Sequence, residues 1–259
     1  MNKLTQLFKT KSTDLLSIYL TAGYPNYDDT LKIAQYLDTA MVDFIELGMP
    51  FSDPLADGPT IQKTSQVAIK KGMSFEQYFK LAKEIRNTTK LPIVFMGYYN
   101  QVLKIGAKKF CEQCSASGID AVIIPDLPLE EYQEKFIELF KEHAITISFL
   151  VTPNTSEERI KKIINLSSAF VYVVSDNSIT GNTVTKNEQF AQYFQKIKTF
   201  NHTIPAIVGF GIHNKESYDF ACTNLDGAII GTAFLKAINT VTPLEGAKIF
   251  IESIKINEL

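Results

Sequence analysis

The stretch PIVFMGYYNQVLKIGAKKFCEQCSASGIDAVII, residues 92–124, contains the repeating unit of the chain. It opens on an apolar run, PIVFM (92–96), passes through a helical-looking segment, KKFCEQCSASG, and closes on a second apolar run, DAVII (120–124). Both runs are nearly continuously apolar, the pattern of strands covered on both faces in a parallel sheet. Similar runs precede this unit, LLSIYL (15–20) and DFIEL (43–47). Four more follow it: ITISFLV (145–151), AFVYVV (169–174), IPAIVGF (204–210) and GAIIG (227–231).

Amphipathic segments lie between the runs, among them YDDTLKIAQYLDTA, EEYQEKFIELFKEHA and TSEERIKKIINLSS, and LEGAKIFIESIKI follows the last one. Asn26 ahead of Asp28 and Asp29 has the chemistry of a helix cap, as do Thr155 and Ser156 ahead of Glu157 and Glu158. Strand candidates recurring about every 30 residues predict a (β/α)8 TIM barrel, closed by right-handed crossovers. MNKLTQLFK reads as an extra N-terminal helix plugging the N-terminal face of the barrel, and short additional helices are expected elsewhere. No linker-like composition divides residues 1–259, so one domain is expected. The alternative, an open doubly wound sheet, usually carries G-x-G-x-x-G after its first strand, and YLTAGYP is not that motif.

The 259 residues suit a single barrel, which needs roughly 250. A formal charge of −2 lacks the basic excess that binding to a phosphate backbone requires, so nucleic acid is not an expected partner. No apolar stretch reaches the roughly 18 residues of a spanning helix, and MNKLTQLFKTKSTD has no secretory h-region. The expected compartment is the cytoplasm, without a membrane partner. Cys111 and Cys114 form a C-x-x-C inside a helical segment, with no second pair or histidines at zinc spacing. They read as two thiols on a helix, and no metal is expected. His143, His202 and His213 sit near no nucleophile motif, which disfavours a Ser-His-Asp triad.

Two long loops, 48–60 after the second strand and 175–187 after the sixth, fall at C-terminal strand ends, where barrel active sites are built. Glu46 lies within the apolar DFIEL. A carboxylate buried in a barrel strand requires either a cationic partner or a use as an acid/base with a raised pKa. Asp53 and Asp57 follow in a loop stiffened by Pro50, Pro54 and Pro59, so one of them can return over the barrel mouth to face Glu46. Turn formation is the plainer reading of S-D-P and A-D-G. Gly181, Gly209, Gly211 and Gly231 lie near the ends of the last three strands and let backbone N–H groups approach an anion. Thr232 adds a hydroxyl at the start of the helical TAFLKAI, a favourable place for a phosphate. Apolar walls for a ligand would come from Tyr19, Met96, Ile123, Tyr172 and Phe210.

The run IELGMPFSDPLADGPTIQ (45–62) closely resembles the signature of the tryptophan synthase alpha subunit family. The resemblance continues through TAGYP (21–25), VFMGYYN (94–100), PDLP (125–128), SITG (178–181), GFGI (209–212) and GTA (231–233). It implies a lyase that splits indole-3-glycerol phosphate into indole and glyceraldehyde 3-phosphate by a retro-aldol step in tryptophan biosynthesis. Glu46 and Asp57 would be the catalytic pair, with no metal or cofactor in this subunit. Gly181, Gly211, Gly231 and Thr232 would surround the phosphate, and Tyr172 and Phe210 would supply aromatic walls. The implied partner is a pyridoxal-phosphate beta subunit in an αββα heterotetramer, with Pro50, Asp53 and Asn100 among the contacts. Thr180, which in relatives contacts the catalytic Asp when its loop closes, is retained. Asp176 and Ser178 depart from the family pattern, which often carries Arg and Gly there. Two further readings share these residues: a stand-alone lyase releasing free indole, and a catalytically weak allosteric partner of the beta subunit. A Schiff-base aldolase would want a Lys in a strand core, and none of the strands has one.

Overall fold

The computed structural model describes residues 2–40, 42–54, 57–175, 184–200 and 203–255. Its strands are β1 (Leu15–Thr21), β2 (Phe44–Gly48), β3 (Ile93–Met96) and β4 (Ala121–Ile123). β5 is interrupted at Phe149 and runs as Thr146–Ser148 and Leu150–Val151. β6 (Val171–Val174), β7 (Ala206–Gly209) and β8 (Gly227–Ile230) complete the set. All pairings are parallel, and β1 is bonded both to β2, with Tyr19 opposite Glu46, and to β8, with Ile18 opposite Ile230. The two halves of β5 join the remaining ends, so the sheet closes on itself as the expected eight-stranded barrel.

Burial accounts for the continuous apolar runs. Every residue of β1, β2, β4, β7 and β8 is buried, because one face meets the barrel interior and the other the surrounding helices. The helix Tyr27–Thr39 buries Ile33, Ala34 and Leu37, and the Asn26 side chain caps it by accepting from the Asp29 N–H at 2.9 Å. Ser156 caps Glu157–Leu166 through the Arg159 N–H. The N-terminal helix, Lys3–Thr10, closes the base of the barrel. It buries Leu4 and sets the Phe8 ring edge-on against Phe44 and Phe170, with centroids 6.1 and 6.2 Å apart.

Several details differ from the sequence reading. The segment 175–187 is not wholly loop, because a helix begins at Val184 and runs to Phe200. Two helices, Pro59–Lys70 and Phe75–Thr88, occupy the β2–β3 crossover, and Gly72 with φ of +91° lies in the turn between them. The segment beginning at Glu130 is helical but carries a π-type turn over Tyr132–Phe136. Cys111 and Cys114 are buried on the helix Ala107–Ser117, where burial pushes the Cys111 thiol up to about 12 and Cys114 well upward. Both therefore stay protonated thiols at neutral pH. Among the described residues no cluster could hold a metal ion, and no helix is long and apolar enough to cross a membrane.

Candidate active site

Residues at the C-terminal ends of the strands surround a cavity of about 700 Å³. Strand alternation decides which side chains reach it. Glu46 and Tyr19 are register partners on adjacent strands, and both line the cavity. Two glycines make room for the tyrosines. A Cβ on Gly48 would come within 2.2 Å of the Tyr19 hydroxyl, and one on Gly209 within 2.0 Å of the Tyr172 hydroxyl. Gly209 therefore makes room for a ring, and it is not among the residues that line the cavity.

Glu46 is 2% exposed, and its Oε2 has no hydrogen-bond partner. Burial, with the nearby Asp57 charge as a second cause, pushes its pKa up to about 8. Asp57 is pushed up to about 6 by burial, against which a hydrogen bond from the Tyr98 hydroxyl acts. Between those values Glu46 holds its proton while Asp57 is ionised, so one cavity presents an acid and a carboxylate. The difference in environment sets the assignment. The loop carrying Asp57 is fixed locally: the Asp57 N–H donates to the Pro54 carbonyl at 3.1 Å, and Gln62 Nε2 donates to the Asp57 carbonyl at 2.9 Å. Pro59 then starts the next helix, where its missing N–H costs nothing.

Beyond β7 the backbone turns sharply. Phe210 and Gly211 both have left-handed φ, +71° and +72°. For a phenylalanine this conformation costs about 1–2 kcal/mol. Ser175 offsets it by donating its hydroxyl to the Phe210 carbonyl at 2.8 Å. The turn puts Phe210 and Gly211 on the cavity wall, with the Phe210 ring edge-on to Tyr172 at 6.4 Å. Gly231 and Thr232 line the cavity too, at the start of the helix Thr232–Ala237. Met96 lines it as expected, whereas Ile123 is fully buried in β4 and is not among the lining residues. Thr180 and Gly181, like Asp176 and Ser178, lie outside the described residues.

Three contributors were not singled out from sequence. Tyr98 is 6% exposed and reaches Asp57 from the loop after β3. Lys236 and His213 bring potential cations to the wall that holds Gly211 and Thr232. Lys236 was legible in principle: four residues after Thr232 on a helix, it shares that residue's face. His213 Nδ1 lies 2.9 Å from the Gly211 carbonyl, which can only accept, so Nδ1 carries the proton. Of the surface residues expected to meet a partner, Asp53 and Asn100 are exposed, with Asp53 accepting from the Ser52 hydroxyl at 2.6 Å. Pro50 is buried, and its carbonyl accepts from Gln101, so it braces the loop and offers little surface of its own.

Comparison with known proteins decides the family. The model of the tryptophan synthase alpha chain matches residues 5–255. The chain belongs to the tryptophan synthase alpha chain family. The alpha chain of Christiangramia forsetii is 48% identical over 239 residues, covering 92% of this chain and 93% of that one. The Parabacteroides distasonis alpha chain is 41% identical, covering 98% of this chain and all of its own length. Among solved structures, the tryptophan synthase complex of Pyrococcus furiosus contains a chain 33% identical, with a TM-score of 0.85 over 94% of this chain and 98% of that chain. A tryptophan synthase structure from M. tuberculosis gives 0.86 at 26% identity, with 98% of each chain covered. Family membership makes this chain a TIM-barrel lyase of tryptophan biosynthesis.

Proposed function

We propose that the cavity cleaves indole-3-glycerol phosphate with Glu46 and Asp57 as its acid/base pair. The observation that carries this reading is a buried Glu46, with one oxygen lacking a hydrogen-bond partner and a pKa raised by burial, in the same cavity as Asp57. Asp57, as the carboxylate, accepts the indole N–H. Glu46 delivers its proton to ring C3, and the resulting positive charge on the ring nitrogen is balanced by Asp57. The Glu46 carboxylate then takes the proton from the side-chain hydroxyl. As that C–O becomes a carbonyl, the C3–carbon bond breaks and its electron pair returns to the ring. Indole and glyceraldehyde 3-phosphate leave, and Glu46 is protonated again. Positioned acid/base groups of this kind contribute roughly 10² to 10⁴ in rate.

The substrate's two ends match the two sides of the cavity. Tyr19, Tyr172 and Phe210 would hold the indole ring, while Gly211, Gly231 and Thr232 would receive the phosphate beside Lys236 and His213. Thr180 and Gly181 are assigned to the same task on family resemblance. The chemistry calls for no cofactor in this subunit, and pyridoxal phosphate would belong to a beta subunit that condenses the released indole. Asp53 and Asn100, both exposed beside the mouth, are the proposed contacts in an αββα assembly, with Pro50 bracing the loop from beneath. The test is indole release from indole-3-glycerol phosphate by the chain alone and with a cognate beta subunit. Release that rises roughly 5- to 150-fold in the complex is expected from a typical coupling energy. Full-speed turnover indifferent to the beta subunit would make it a stand-alone lyase, and no release in either setting would overturn the reading.

A further inference from the structure

Gln101 is a buried amide on the helix Tyr99–Ile105, 5% exposed, with both ends of its side chain engaged. Its Oε1 accepts from the Tyr98 N–H at 2.9 Å, and its Nε2 donates to the Pro50 carbonyl at 3.0 Å. The first bond is ordinary helix capping, in which a residue in the first turn reaches back to the cap N–H. The second crosses 51 residues of sequence and ties the loop that bears Asp57 to the loop that bears Tyr98. A ring contact reinforces the tie: Phe51, next to Pro50, packs on Tyr98 with centroids 5.1 Å apart. Approach of the amide depends on Gly97, where an added Cβ would come within 3.0 Å of Oε1 and still closer to the Phe95 ring.

We propose that Gln101 is a positioning residue for the reaction, holding the loop after β2 and the loop after β3 in one register so that the Tyr98 hydroxyl meets Asp57. The inference rests on the role proposed for Asp57 above. A cap alone needs only Oε1, and a loop brace alone needs only Nε2. One rigid amide that makes both bonds fixes the separation of the two loops, and a buried amide that loses either bond is left with an unmet polar group. The groups facing Asp57 come from several elements: Glu46 on β2, Tyr19 on β1, Tyr172 on β6 and Tyr98 after β3. Gln101 touches only the last of these, through its main chain.

The test follows the Asp57 carboxyl by ¹³C NMR through a pH titration of the full chain in four forms: wild type, Gln101→Met, Tyr98→Phe and the double variant. Tyr98→Phe removes a bond to the ionised form, so the Asp57 midpoint moves up. Gln101→Met is expected to move it in the same direction by at least about half as much, and the double variant to add nothing further. Indole release should fall about three- to tenfold in kcat for Gln101→Met, with KM held within about twofold. If the Met variant does not fold, Gln101→Asn keeps the amide but is one methylene too short to span both partners. An Asp57 midpoint unmoved by Gln101 substitution, or shifts that simply add in the double variant, would overturn the proposal. A wild-type chain that releases no indole would sink the functional reading alone, because the NMR titration decides the role of Gln101 without substrate.

Discussion

The two ends of the barrel use buried and half-buried carboxyl groups in opposite ways. At the N-terminal end Asp43, Asp120 and Asp226 stand immediately before β2, β4 and β8, and each reaches across to the neighbouring strand. They accept from the N–H of Leu16 at 2.7 Å, Ile93 at 2.9 Å and Ala206 at 2.7 Å. Asp120 also takes the Lys3 N–H at 2.8 Å and pairs with Arg86, and Asp43 pairs with Lys11 at 2.7 Å. At the C-terminal end Glu46 has an oxygen with no donor, and Asp57 has the Tyr98 hydroxyl. Asp226 is intermediate: burial raises its pKa, and the Ala206 N–H acts against that rise. Where a carboxyl group holds strands together, the fold surrounds it with donors. Where it is to carry a proton, the fold withholds them, and the cost appears as a raised pKa.

The largest effect that can break this contrast is on turnover. Glu46→Gln keeps the size of the side chain but cannot exchange protons, so indole release should fall by more than about 10² with the fold intact. A variant that keeps a tenth or more of wild-type activity, measured under saturating indole-3-glycerol phosphate, removes Glu46 from the mechanism. Asp120→Asn should do the reverse. With its partner carboxylate gone, the largely buried Arg86 is uncompensated, and unfolding free energy in urea should drop by about 3 kcal/mol. Turnover per folded molecule should stay near wild type, and a selective loss of turnover would contradict the division of labour between the two ends. Asp57→Asn should be milder than Glu46→Gln, roughly ten- to a hundredfold in kcat, since an amide oxygen still accepts the indole N–H without balancing its charge. Equal losses at Glu46 and Asp57 would instead point to a pair acting as one unit.

Much of this was legible in the sequence, and the part that was not has a common physical character. The strands announced themselves because burial on both faces leaves nearly unbroken apolar runs, and Glu46 stood out as the acid that interrupts one of them. Asp57 was legible through the prolines that stiffen its loop. Tyr98 and Gln101 were not legible because their roles depend on loops brought together only by closure of the barrel, as in the bond from Gln101 to Pro50. The strand-leading aspartates were visible in V-D-F, I-D-A and L-D-G, yet their function as clamps requires knowing which strand lies alongside. Ile123 does not line the cavity although its register partner Met96 does, a distinction between neighbouring strand ends that apolar patterning does not resolve.

The difference in unfolding free energy between Glu46→Gln and wild type, followed from pH 4 to 9, tests the central claim most directly. Below the ordinary glutamate value of 4.5 both folded and unfolded chains hold the proton, and the gap should be flat. Between there and about 8 the unfolded chain releases it while folded Glu46 retains it. The native state then binds more protons, so wild-type stability falls as pH rises through this window. The glutamine variant lacks that penalty, and its advantage should grow with pH by up to ~1.4 kcal/mol per unit before levelling near the folded value. A gap that stays constant between pH 4.5 and about 8, whatever its sign, would mean that folded Glu46 gives up its proton as readily as an unfolded glutamate, and would contradict the account.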